Sequence, residues 1–214
     1  MNSTIIYITS NREDQKFEKK IQEDLLKKAG NIPVISVSQK PIDLGRNICV
    51  GDVGTSGFNV CRQILIGCMA ATTPFVISAE ADCLYPPDYF TFIPTKLDIP
   101  YRNTNIYVQK YRGNFVNKKS SSLFAQVVGR EFYVKRLKEL FGDLPEWDGN
   151  MKNFPKEIGK KLFNKFEYFE TQYPCISFKT GKGMRKHSAS SSEEIYELPY
   201  WGKVKDLKEQ YEVS

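Results

Sequence analysis

The stretch Pro74-Phe75-Val76-Ile77-Ser78-Ala79-Glu80-Ala81-Asp82 decides how this chain folds. A short apolar run stopped by two acids reads as a strand buried on both faces. Two earlier runs match it, Thr4-Ile5-Ile6-Tyr7-Ile8-Thr9 and Ile32-Pro33-Val34-Ile35-Ser36-Val37. Between them Ser10 and Glu13 stand at capping-box spacing, apolar residues recur at Phe17, Ile21, Leu25, Leu26 and Ala29, and Gly30 closes a helix. A strand-helix-strand unit of this kind predicts a parallel sheet with a right-handed crossover. A second helix is expected from about Gly57 to Ala71, burying Val60, Cys61, Ile64, Leu65, Cys68 and Met69 and leaving Asn59, Arg62 and Gln63 on or beside the other face. Residues 38–57, rich in Gly, Asp, Asn and Pro, read as one long loop, a length that often marks function in a compact domain. The fold class is α/β, with a mostly parallel central sheet flanked by helices.

The second half is less regular. Strands are expected at Asn105–Tyr111, Ser122–Val128 and Ile176–Phe178, and helices at Arg130–Phe141 and from Pro155 through Ile158, Leu162 and Phe166. Tyr200 and Trp201 read as a plug that anchors the tail in the core, a sugar-stacking wall being the other reading. With 214 residues, 41% hydrophobic and 26% charged, one ordered domain is expected and disorder is not. No run approaches the roughly 20 apolar residues of a membrane span. The first strand follows the N-terminus without a basic leader, so no signal peptide is expected. Five cysteines without a C-x-x-C pair indicate neither a disulfide framework nor a zinc knuckle, and point to a reducing cytoplasm. The net charge of +6 is mild, but Lys118, Lys119, Lys152, Lys156, Lys160, Lys161, Lys179, Lys182, Arg185 and Lys186 crowd the second half. They suit an anionic partner, a diphosphate or a nucleic acid, although lysines of the middle cluster equally solvate a helix face.

Ligands of open parallel sheets bind beyond the carboxyl ends of the strands. Glu80 and Asp82 stand at such an end, one residue apart, and side chains alternate with period two, so both carboxylates can point the same way. Two hard oxygen donors suit Mn²⁺ or Mg²⁺, which keeps positions open for diphosphate oxygens. A bare Glu-x-Asp triplet fits two solvated loop acids just as well; the preceding strand makes the metal reading the better one.

The runs Gly54-Thr55-Ser56-Gly57-Phe58-Asn59-Val60-Cys61-Arg62-Gln63 and Phe75 to Phe90, with Ala79-Glu80-Ala81-Asp82-Cys83-Leu84-Tyr85-Pro86-Pro87 inside the second, resemble GT-A glycosyltransferases, and within them a bacterial and phage-associated branch. Asn103-Thr104-Asn105, Gln126, Gly129-Arg130-Glu131 and Leu198-Pro199-Tyr200-Trp201-Gly202 extend the likeness to about residues 4–202. The first acid is Glu where many families have Asp, a longer ligand that lets water mediate the contact. The resemblance implies a single glycosyltransferase domain: a nucleotide-sugar half over about residues 1–100 and an acceptor half over about 101–214. It implies a nucleotide-sugar donor, a UDP-sugar before others, with Thr9, Ser10, Asn11 and Arg12 holding base and ribose, Asp52 at the base and Arg62 approaching the donor. His187, the only histidine, would complete the metal site, and Lys182, Arg185 and Lys186 would cover the diphosphate. Such a loop orders over the donor and excludes water.

An inverting transferase needs a carboxylate base at the acceptor hydroxyl. Asp148 and Glu170 are the candidates, though each equally suits a loop or element end. A nucleotidyltransferase would carry a glycine-rich phosphate loop after the first strand, and Thr9-Ser10-Asn11-Arg12 has no glycine. A non-catalytic nucleic-acid-binding protein leaves the acidic strand end unexplained. For a transferase the acceptor is a glycan precursor or a hydroxymethylated base of phage DNA, the latter favoured by the basic second half and by the phage-associated resemblance, not by any base-reading motif.

Overall fold

The computed structural model describes residues 2–110, 113–118, 122–151, 162–180 and 195–213. Its frame is β1 (Ser3–Thr9), buried at every position after Ser3. A strand enclosed on both faces needs no polar alternation, which is why it reads as an unbroken apolar run. β1 pairs in parallel with β2 (Val34–Ser38) on one side and β4 (Phe75–Glu80) on the other, and β2 pairs in parallel with β3 (Arg46–Cys49). Beyond β4 come β9 (Gln126–Gly129), antiparallel, then β6 (Tyr101–Asn103) and β10 (Glu167–Phe169), in the order β10-β6-β9-β4-β1-β2-β3. The chain therefore leaves β1 toward β2 and β3 and returns on the other side of β1 as β4. This reversal opens a crevice at the carboxyl ends of β1 and β4, where loops diverge.

A smaller sheet, β5 (Cys83–Leu84), β11 (Cys175–Phe178), β7 (Ile106–Gln109) and β8 (Phe115–Asn117), stands beside the first, and β12 (Glu197–Leu198) pairs with β13 (Gly202–Lys203). Among the described residues the helices are α1 (Gln15–Ala29), α2 (Gly57–Ala70), α3 (Pro87–Thr91), α4 (Arg130–Phe141) and α5 (Val204–Gln210). Phe58, Cys61, Ile64 and Cys68 of α2 and Tyr133, Leu137 and Phe141 of α4 pack on Ile6, Ile8 and Val76. Against Phe17 and Ile21 of α1 lies a third cluster that holds Trp201. Of the two expected plug residues only Trp201 is one: it is 8% exposed and its Nε1 donates to the Pro174 carbonyl at 2.7 Å, whereas Tyr200 is 50% exposed.

Three other sequence expectations change. The N-cap of α1 is Asp14, whose carboxylate accepts from the Lys16 and Phe17 amides, so Ser10 and Glu13 are no capping box. Asp caps as well as Ser, and Asn11, in the left-handed region at φ 53°, turns the chain before the helix can start. The loop over 38–57 contains a strand, β3, at the sheet edge. Asn59 and Gln63 are buried whereas Met69 is 55% exposed. Most of the helix expected from Pro155 lies outside the described residues.

Candidate active site

Glu80 is the last residue of β4, paired with Ile8, and Asp82 follows in the turn into β5. One carboxylate oxygen of each and the Cys83 Sγ lie within 4.8 Å of one another. Buried Tyr85 fixes the strand end, its hydroxyl accepting from the Glu80 amide and donating to the Phe124 carbonyl, both at 3.0 Å. Asp82 is gripped through its backbone by the Phe178 amide at 2.8 Å. Its Oδ1 accepts from the Cys83 thiol at 3.3 Å, and its Oδ2 faces the Lys179 ammonium at 3.7 Å. Burial, and then the Asp82 charge, push the Glu80 carboxyl up to about 7, against the pull of Lys179 and Lys118. Burial holds the Cys83 thiol well above its ordinary value and therefore protonated. Two carboxylates short of positive charge, beside a thiol that keeps its proton, make an oxygen donor set that fits Mn²⁺ or Mg²⁺.

Two expected results follow. Tyr85→Phe leaves a buried amide and carbonyl unpaired; a loss of about 1–3 kcal/mol is expected in urea denaturation, with Mn²⁺ binding weakened a few-fold because Glu80 loses its anchor. The second concerns pH. The Glu80 proton is held more tightly folded, near 7, than unfolded, near 4.3. The stability it contributes is complete below pH about 4 and is lost as pH rises through about 7. Metal-free protein should lose melting temperature between about pH 5 and 8, and Glu80→Gln should remove part of that slope, on the order of 2 kcal/mol after allowance for solvent screening. Glu18, raised by its own burial, acts in the same sense, so the quantity to measure is the difference between the two proteins; parallel pH curves would refute the effect.

Beside the acids a cavity of about 110 Å³ is lined by Thr9, Ser10, Gln39, Thr55, Ser56, Asn59, Gln63, Glu80 and Asp82, among others. Its walls are tied by side chains that bond to distant backbone. Thr9 Oγ1 accepts from the Asn11 amide at 2.8 Å, and Asn11 Oδ1 accepts from the Gln39 and Lys40 amides at 2.9 and 2.8 Å. Gln39 Nε2 donates to the Gly54 carbonyl, and Gln63 Nε2 to those of Thr9 and Val37. Asn59 Nδ2 donates to the Val53 and Gly54 carbonyls. Arg12 crosses the rim to donate to Thr55 Oγ1 at 2.6 Å.

The structure brings Thr9, Ser10, Glu80 and Asp82 together at the cavity, with Asn11 and Arg12 bracing its rim. It turns Arg62 elsewhere: the guanidinium donates to the Leu144 and Pro145 carbonyls at 3.0 and 2.6 Å and lies 3.7 Å over the Phe141 ring. Arg62 therefore clamps the turn ahead of Asp148. Asp52 is exposed and outside the cavity lining, accepting from the Gly54 amide. The Asp148 backbone is sewn to Asn59 Oδ1 and Ser56 Oγ of the cavity wall, while its carboxylate accepts from the Asn150 amide. Glu170 follows β10, level with Glu80 but three strands away, about 14 Å at 4.8 Å per strand. Lys182, Arg185, Lys186 and His187 lie outside the described residues. Sequence reasoning missed Gln39 and the inward role of Asn59 and Gln63, whose signal was their i, i+4 spacing one turn into α2. It also missed Lys179 as a site residue.

No protein-family model matches the sequence, and no curated protein does. Solved structures match the fold. The mixed α/β architecture with a mostly parallel central sheet is that of GT-A glycosyltransferases. In particular, S. aureus TarS 1–349 in complex with UDP-GlcNAc is similar with TM-score 0.56 and 14% identity, over 98% of this chain and 64% of that one. The catalytic domain of Drosophila beta1,4-galactosyltransferase 7 in complex with xylobiose is similar with TM-score 0.52 and 10% identity, over 90% and 77%. The chain thus spans just under two thirds of the TarS chain. Among the described residues, no helix is long and apolar enough to cross a membrane.

Proposed function

We propose that this chain is a metal-dependent glycosyltransferase that moves a sugar from a nucleotide-sugar donor, a UDP-sugar, to a hydroxyl of a glycan acceptor. The observation that carries the reading is the pairing of Glu80 and Asp82 at the reversal point of the sheet, directly beside a polar cavity. Glu80 and Asp82 hold Mn²⁺ or Mg²⁺, with His187 as a third ligand. The cation, when bound, supplies Lewis-acid neutralisation of the leaving diphosphate. Thr9, Ser10, Asn11 and Arg12 form the base and ribose wall, kept in shape by Gln39, Asn59 and Gln63. Lys182, Arg185 and Lys186 cover the phosphates and exclude water. Asp148, tied to the cavity wall by Ser56 and Asn59, is better placed as acceptor base than Glu170.

The UDP-GlcNAc of the TarS complex and the xylobiose of the galactosyltransferase complex support reading the donor as a UDP-sugar and the acceptor as a glycan before other choices. Most of the lysines that favoured DNA lie outside the described residues, and that acceptor keeps only its charge argument. The test is UDP release from a panel of UDP-sugars with Mn²⁺, alone and with oligosaccharides or hydroxymethylated DNA. Turnover that rises with an oligosaccharide supports the reading. No release from any nucleotide sugar, with UDP binding indifferent to Mn²⁺, sinks it.

A further inference from the structure

Lys179 is the one cation that the structure sets against Asp82 in a described ion pair, and no role assigned above uses it. Its backbone is fixed twice over. β11 pairs with both β5 and β7, the Phe178 amide donates to the Asp82 carbonyl at 2.8 Å, and the Lys179 amide donates to the Gln109 carbonyl at 3.0 Å. The side chain is not fixed in the same way. Its Nζ donates to Ser177 Oγ at 3.1 Å and stands 3.7 Å from Asp82 Oδ2, beyond hydrogen-bond reach, with 24% of the side chain exposed. An ion pair of this kind is held by charge alone and costs little to open.

We infer that Lys179 is a placeholder cation that neutralises Asp82 until metal and diphosphate arrive together, and then transfers its charge to the diphosphate. The inference rests on the proposed metal and nucleotide site. A divalent ion on Asp82 and an ammonium a few ångströms away repel each other, so Lys179 works against metal binding by itself. A diphosphate would reverse the sign, because the ammonium would exchange one carboxylate for the anionic phosphate oxygens beside it. Lys179 thus makes metal and nucleotide binding depend on each other, and such a coupling is reciprocal. A lysine kept merely for packing would carry no such sign reversal. Lys118, which also lowers the Glu80 carboxyl's proton affinity, contributes to the same field.

The experiment titrates Mn²⁺ against wild type, Lys179→Met and Lys179→Arg, reading free Mn²⁺ by electron paramagnetic resonance, without and with saturating UDP. Lys179→Met should bind Mn²⁺ alone about threefold or more tighter, and Mn²⁺ with UDP about tenfold weaker, while Lys179→Arg stays near wild type. A shift of the same sign in both conditions, or no shift in either, overturns the inference and leaves the metal site standing. If wild type binds no Mn²⁺ even with UDP, the proposed function falls and the placeholder falls with it.

Discussion

Asp82→Asn should lower donor turnover by about a hundredfold or more while the protein stays folded. Asparagine keeps the shape of the side chain, and its Oδ1 still accepts from the Cys83 thiol. What goes is one of two anionic donors in a cluster whose oxygens lie within 4.8 Å. Lewis-acid assistance is worth several kcal/mol, and each 1.36 kcal/mol is tenfold in rate, so weakened metal binding alone yields a loss of that order. Glu80→Gln should lose a similar amount, and the double variant little more, because the two carboxylates act as one unit. Removing the Asp82 charge also removes one cause of the raised Glu80 carboxyl. Metal-free Asp82→Asn should therefore melt no lower than wild type at pH 8. Activity and melting together separate a metal ligand from a structural acid: turnover within threefold of wild type would refute the site, and a large loss of stability would show that Asp82 serves the fold.

Gly129→Ala is expected to cost about 3 kcal/mol or more, roughly a 10 °C fall in melting temperature for a chain of this size. Gly129 ends β9 opposite Phe75, and the following Arg130 amide is held by the Pro74 carbonyl at 2.8 Å. A Cβ there would stand 1.9 Å from the Leu97 carbonyl oxygen and 2.7 Å from its carbon, backbone atoms that no rotamer change can move aside. The 94–99 segment would have to lift off the sheet. Gly142→Ala is the comparison: at φ 43° and ψ −126° it meets nothing within 4 Å, so only its backbone conformation is charged, about 1–2 kcal/mol. Equal losses at the two positions would show that the close approach at Gly129 is not what its glycine serves.

The central elements were legible because their environment repeats along the chain. β1, β2 and β4 are enclosed on both faces and so read as apolar runs, and α4 begins and ends where its periodicity does. β3 was not legible, since only Asn47 and Ile48 of its four residues are even half-buried and its strand state comes from hydrogen bonds to β2. β5, β12 and β13, two residues each, are too short for any pattern. Ser10 and Asp14 both suit an N-cap by composition, and the choice fell to the turn at Asn11, whose partners Gln39 and Lys40 lie far along the chain.

The same division runs through the site. Glu80 and Asp82 at the end of an apolar run were determined by the sequence itself, because strand burial and two-residue alternation are local properties. What stands opposite them was decided only by the tertiary structure. Lys179 reaches Asp82 because β11 folds back on β5; Arg62 turns to the Leu144 and Pro145 carbonyls because the fold brings them within its reach; Gln63 turns inward because two strand-end carbonyls, from β1 and β2, converge on it. A side-chain amide or cation commits to whichever unpaired backbone group or charge the fold brings within about 3–4 Å, and that neighbour is chosen by topology, at separations no local pattern records.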